Sequence, residues 1–130
     1  MPYIKLNTNT DIADKPSVLR RLSQLAAKET SKPESYVMVE IVHNPSMLFA
    51  GKDTPLAFLE FKSIGLTEKQ AKSLSASISE LLKAELNISP DRIILNLVTH
   101  PLHFGVTTAQ RLVEQTSTAI ETSSVKPQQI

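Results

Sequence analysis

The chain has 130 residues, 41% of them apolar and 21% charged, which suits one domain with a single core. Fourteen basic against 13 acidic residues leave a net charge of +1, so no basic surface of the kind that draws nucleic acid or an anionic membrane is expected. There are no cysteines, which excludes disulfides, thiol catalysis and thiolate metal sites. No apolar run is long enough to span a bilayer, and no signal-peptide pattern opens the chain, so a cytoplasmic protein is expected, with secretion lacking a signal peptide left open.

Residues 2–7 alternate apolar and polar, as a half-buried strand does. Thr8 to Lys15 reads as a loop, and Pro16 suits the first turn of a helix. Leu19, Leu22, Leu25 and Ala26 carry that helix at 3.6-residue spacing to about Thr30, where Lys32-Pro33 breaks it. Residues 36–43, rich in Val and Ile, predict a second strand, and a loop punctuated by Asn44-Pro45, Gly51 and Pro55 follows. The pattern then recurs. Residues 56–64 read as a strand. Thr67 with Gln70 forms a capping box, and Ala71, Leu74, Ile78, Leu81, Leu82 and Leu86 make an apolar stripe. Ser89-Pro90 ends the helix, and 92–98 is a fourth strand.

The two junctions look alike: Lys32-Pro33-Glu34 before one Val- and Ile-rich strand, Ser89-Pro90-Asp91 before the other. This reads as an internal duplication of a β-α-β unit. The predicted class is α+β, with two duplicated β-α-β units forming a four-stranded mixed sheet and two helices on one face. Each unit should contribute a parallel strand pair. Val37, Val39, Ile41, Leu59, Phe61, Ile93, Leu95 and Leu97 should lie under the helices. The other face carries Lys5, Glu40, Glu60, Lys62 and Asn96 among Met38, Phe58, Ile94 and Val98. It is either solvated or turned into the middle of an oligomer. Residues 1–106 form the expected domain. His100 to Val106 is irregular or a short strand. A second capping box at Thr107/Gln110 predicts an amphipathic C-terminal helix over 107–120, and 121–130 reads as a disordered tail.

Several segments resemble the macrophage migration inhibitory factor (MIF) family of the tautomerase superfamily. Met1-Pro2-Tyr3-Ile4-Lys5-Leu6-Asn7-Thr8-Asn9 resembles its first strand, and Lys32-Pro33 with Tyr36 the entry to its second. Phe49-Ala50-Gly51 resembles its Phe-Gly-Gly loop. Ser63-Ile64-Gly65 matches the end of its third strand, and Ile88-Ser89-Pro90-Asp91-Arg92 with Asn96 its fourth. Order and spacing agree from residue 1 to about 106. The resemblance implies a homotrimer whose three sheets enclose a channel, and a cofactor-free keto–enol tautomerase of the phenylpyruvate or dopachrome type, acting on a small 2-oxo acid or its enol. A trimeric binding or signalling protein with weak or lost activity is the alternative.

Keto–enol exchange needs a base, neutral near pH 7, beside the proton it removes. Pro2, exposed by removal of Met1, would supply a secondary amine on a rigid ring, and burial with a nearby Lys32 cation would lower its pKa. Taken alone, Pro2 is only a common second residue. Lys32 suits a substrate carboxylate, although a lysine at a helix end is more often solvated. By resemblance, Ile64 contributes its backbone amide; otherwise it is a core isoleucine beside a turn glycine. Asn96 would bind substrate from a neighbouring subunit or satisfy a partner across the interface. Tyr36 would line the pocket or simply pack. His100 and His103 lack nearby carboxylates or thiols, so no metal site is expected. Two positions depart from the family pattern: Ile94 stands where family members active on aromatic substrates usually carry an aromatic residue, and Val106 where they carry Trp. The pocket should therefore be less aromatic.

Overall fold

A computed structural model describes residues 2–99 and the backbone of 105–108. In chain order it contains β1 (Tyr3–Thr8), α1 (Lys15–Thr30), β2 (Met38–His43), β3 (Ala57–Ser63), α2 (Glu68–Leu86), β4 (Ile93–Thr99) and β5 (Gly105–Thr108). The sheet order is β2-β1-β3-β4-β5. β1 pairs parallel to β2, and β3 parallel to β4, so each β-α-β unit closes on itself. The antiparallel β1–β3 ladder joins the two units into one mixed sheet, as expected from the duplication. A short antiparallel strand, β5, extends that sheet beyond β4. Its last residues correct one expected boundary: Thr107 and Thr108 pair with Leu97 and Asn96, so they belong to the sheet and do not open a helix. The backbone hydrogen bonds offered by the edge of β4 outcompete a local capping box. The rest of the expected helix, 109–120, and the tail lie outside the described residues.

The helices follow their end signals. Asp14 caps α1, its Oδ1 accepting from the Ser17 N–H at 3.1 Å, and Pro16 occupies the first turn. Thr67 and Gln70 form a full capping box on α2. Both helices end on a left-handed residue, Ser31 (φ 58°) and Asn87 (φ 56°), and in both a three-residue 3-10 turn, Glu34–Tyr36 or Pro90–Arg92, then leads into the strand. The first of these turns moves the start of the second strand from residue 36 to Met38. Period-two alternation places Ile4, Leu6, Leu59, Phe61, Ile93, Leu95 and Leu97 under Val18, Leu22, Ala26, Leu74, Ile78 and Leu82 of the helices. Val37, Val39 and Ile41 pack against that core while half-buried, because β2 is an edge strand.

The long β2–β3 connection is held from two sides. The Asn9 side chain donates to the Asp53 carbonyl at 2.8 Å and accepts from the Leu56 N–H at 3.0 Å. The Arg92 guanidinium lies over the Phe49 ring, 5.0 Å from its centre, and donates to the carbonyls of Phe49 (2.6 Å), Lys52 (3.0 Å) and Thr54 (3.1 Å). Phe49 and Lys52 close a two-residue turn whose central residues, Ala50 (φ 57°) and Gly51 (φ 74°), are both left-handed. That geometry belongs to a type I′ turn, for which glycine is suited and alanine is not. The left-handed region costs a non-glycine residue roughly 1–2 kcal/mol, whereas glycine costs about 0.4–1 kcal/mol in extra unfolded-state freedom. Ala50→Gly should therefore stabilise the fold by about 0.5–1 kcal/mol and raise Tm by about 2–4 °C in a thermal scan. An unchanged or lower Tm would show that the turn carries no such strain.

Candidate active site

Pro2 stands one residue ahead of β1 and is buried. A proline has no N–H to give a ladder, so inside a sheet it is tolerated only at such a starting position. Its carbonyl does take part, accepting from the Met38 N–H at 3.0 Å. Because Tyr3 pairs with Lys62, the next step along the antiparallel ladder sets Pro2 beside Ser63. The strand start, the end of β3 and the end of α1 thus converge at one end of the sheet.

Lys32 reaches that point through the cap of α1. The left-handed Ser31 turns the chain, and the Lys32 N–H returns to the Ala27 carbonyl at 3.1 Å. The side chain then runs to the end of β3, where Nζ donates to Ser63 Oγ (3.2 Å) and to the Ile64 carbonyl (3.1 Å). The ammonium has three donors, so one remains for a ligand. Gly65 (φ 74°) turns the chain after Ile64, and Thr99 Oγ1 accepts from the Leu66 N–H at 3.1 Å, fixing that turn. The Ile64 side chain is 60% exposed, which excludes the core-isoleucine reading; its carbonyl engages Lys32. Tyr36 ends a 3-10 turn two residues before Met38 and is 56% exposed, so it does not act as a packing residue within the protomer.

Asn96 lies elsewhere. It occupies the row of Lys5 and Glu60, three residues along the ladder from Pro2 and on the face away from the helices. At about 3.3 Å per residue that is about 10 Å of strand, so one protomer cannot bring Asn96 and Pro2 to one small ligand. Its Oδ1 is nevertheless buried and has no hydrogen-bond partner among the described residues. The same face carries Tyr3, whose hydroxyl donates to Glu40 Oε1 at 2.6 Å and whose ring lies 5.9 Å from Lys62 Nζ. The hydrogen bond to Glu40 raises the phenol above its ordinary pKa. Met38, 59% exposed, adds an apolar patch beside it.

Among the described residues no three His, Cys, Asp or Glu side chains come together as a metal site, and no helix is long and apolar enough to cross a membrane. His100 and His103 lie outside the described residues. Sequence reasoning passed over Ser63, although Ser63-Ile64-Gly65 was in view. The available signal was a polar residue continuing the buried period of Ala57, Leu59 and Phe61.

The family model for macrophage migration inhibitory factor (MIF) matches residues 1–123. The mouse macrophage migration inhibitory factor is 37% identical over 98 residues, covering 74% of this chain and 85% of that protein. D-dopachrome decarboxylase-B of Xenopus laevis is 33% identical over 101 residues, covering 75% of this chain and 86% of that protein. The fold superimposes on a crystal structure of the homologue from Prochlorococcus marinus with a TM-score of 0.73 and 29% identity, covering 82% of this chain and 97% of that one. The factor from Trichinella spiralis gives 0.70 and 32%, with 82% and 98% covered. With its duplicated β-α-β units and matching motifs, the chain belongs to the macrophage migration inhibitory factor family of the tautomerase superfamily.

Proposed function

We propose that this protein is a keto–enol tautomerase in which the amine of Pro2, freed by removal of Met1, is the general base. What supports this reading is the β1–β3 register, which runs Pro2 toward Ser63, the residue to which the Lys32 ammonium donates while keeping one further donor. In the ketonisation of a 2-oxo acid enol, the Pro2 nitrogen takes the enol O–H proton as the carbonyl forms, and the protonated amine then returns it to C3, which regenerates the base. No proton is gained or lost overall. Lys32 anchors the carboxylate and, as a neighbouring cation, disfavours the protonated amine. The similarity to a D-dopachrome decarboxylase supports the same class of small enolisable substrates.

The working unit in this reading is a homotrimer. A buried amide oxygen without a partner costs about 1–3 kcal/mol, and a second chain would relieve Asn96 of it. Asn96 would then reach the Pro2 site of a neighbouring subunit, which it cannot do in its own. Tyr36, just before the edge strand β2, and Met38, its first residue, are both exposed and would supply apolar surface for the same contact.

The second reading is a trimeric binding or signalling protein with little turnover. It is favoured by the aliphatic Ile94, and by Val106, at positions where aromatic substrates call for aromatic walls. Intact mass separates the two, since a retained Met1 makes the Pro2 nitrogen an amide and abolishes its basicity.

Two substitutions test the assignment. Pro2→Gly with Met1 removed should lower kcat/KM for phenylpyruvate enol by about 10²-fold, the lower end for a general base, because a flexible primary amine replaces the oriented ring. Turnover at the parent rate would remove Pro2 from the chemistry. Lys32→Ala should raise KM for carboxylate substrates by about tenfold, a loss of about 1.4 kcal/mol of binding that diminishes at high salt. An equal loss on the methyl ester would show that Lys32 does not read the carboxylate.

A further inference from the structure

We infer that Ser63 is a positioning residue for Lys32: its hydroxyl fixes the ammonium where the remaining donor meets the substrate carboxylate. This inference rests on the tautomerase reading for its substrate, but its geometry stands without it. The buried positions of β3 run Ala57, Leu59, Phe61 and Ser63, so a hydroxyl replaces the expected apolar side chain at the last one. Ser63 is only 5% exposed. Burying a hydroxyl is unfavourable unless it is hydrogen-bonded, and the partner here is the Lys32 ammonium at 3.2 Å. Ser63 is itself held at the end of the sheet's central strand, pairing with Thr99 on β4, and Thr99 holds the turn that follows.

The chemistry explains why two acceptors are needed. Lysine carries its charge on four rotatable bonds, and freezing them on binding a ligand costs affinity. The Ile64 carbonyl alone would leave Nζ free to swing about one contact. Ser63 Oγ, as a second acceptor, removes that freedom before the ligand arrives. This is preorganisation, so its loss appears in affinity.

Ser63→Ala is the test, with Ser63→Thr as the conservative variant. The probe is cinnamate, a carboxylate that cannot tautomerise, compared with cinnamamide by calorimetry. Ser63→Ala should weaken cinnamate binding by about 3–10-fold and leave cinnamamide within about twofold, and threonine should restore most of the loss. The KM for phenylpyruvate enol should rise by the same factor, the loss falling mainly on KM. In the unsubstituted protein, nitrogen-15 spectra of the lysine side chains should show a Lys32 ammonium protected from exchange, a reading independent of whether any variant folds. Unchanged cinnamate affinity in Ser63→Ala, an unprotected Lys32 ammonium, or a parent protein that binds no cinnamate would each overturn the assignment. Cinnamate binding that depends on Ser63 in a protein without phenylpyruvate turnover would overturn the tautomerase reading and leave the Ser63 assignment standing.

Discussion

Everything at the candidate site depends on β1 entering the middle of the sheet from its first residue. A central strand must satisfy backbone groups on both sides, and β1 does so against β2 and β3 from Tyr3 to Thr8. A strand in the middle of a sheet can carry proline only where the missing N–H is not called for, and the position just before Tyr3 is such a place. The consequence is chemical as well as structural. The ring is buried and its carbonyl is tied to Met38, so the nitrogen is held in a fixed direction at the end of the ladder. A tail residue free to fray would have no such orientation.

The second constraint is the face of the sheet that the helices leave uncovered. Its rows mix charges with Phe58, Ile94 and Val98, and one of its polar atoms, Asn96 Oδ1, is buried without a partner among the described residues. In the homotrimer proposed above, Asn96 would act away from its own Pro2. Within the protomer, Glu40, Tyr3 and Lys62 already form one hydrogen-bonded and cation–π group. That group lies toward the end of the face where β1 begins and β3 finishes, beside the exposed Met38.

Much of this was legible in the sequence because the signals are local. The capping box at Thr67, the proline in α1, and the two junctions at Pro33 and Pro90 each act within a few residues, and the structure reproduces them. Period-two alternation sorted the sheet faces correctly for the same reason. What sequence could not show was joined across distance. Arg92 fastens a loop about forty residues away, Asn9 holds the same loop at Asp53 and Leu56, and Ser63 meets Lys32 across 31 residues. Periodicity carries no information about such pairs. Thr107 and Thr108 illustrate the opposite error: a local capping pattern was present, but the open edge of β4 offered a longer ladder. Of the residues named for the site, Pro2, Lys32 and Ile64 come together in one protomer, Tyr36 lies two residues before Met38, the partner of Pro2, and Asn96 faces the other way.

The central claim is that this arrangement keeps the Pro2 amine unprotonated near neutral pH. The most direct measurement is a nitrogen-15 NMR titration of proline-labelled protein whose Met1 has been shown by mass to be absent. The amine should titrate below the roughly 7.7–8.0 of an ordinary chain terminus, because burial and the neighbouring Lys32 charge both oppose its protonation. In Lys32→Ala the midpoint should move upward, since one of those two causes has gone. A Pro2 amine that titrates at or above the ordinary value, with no response to Lys32, would contradict the account.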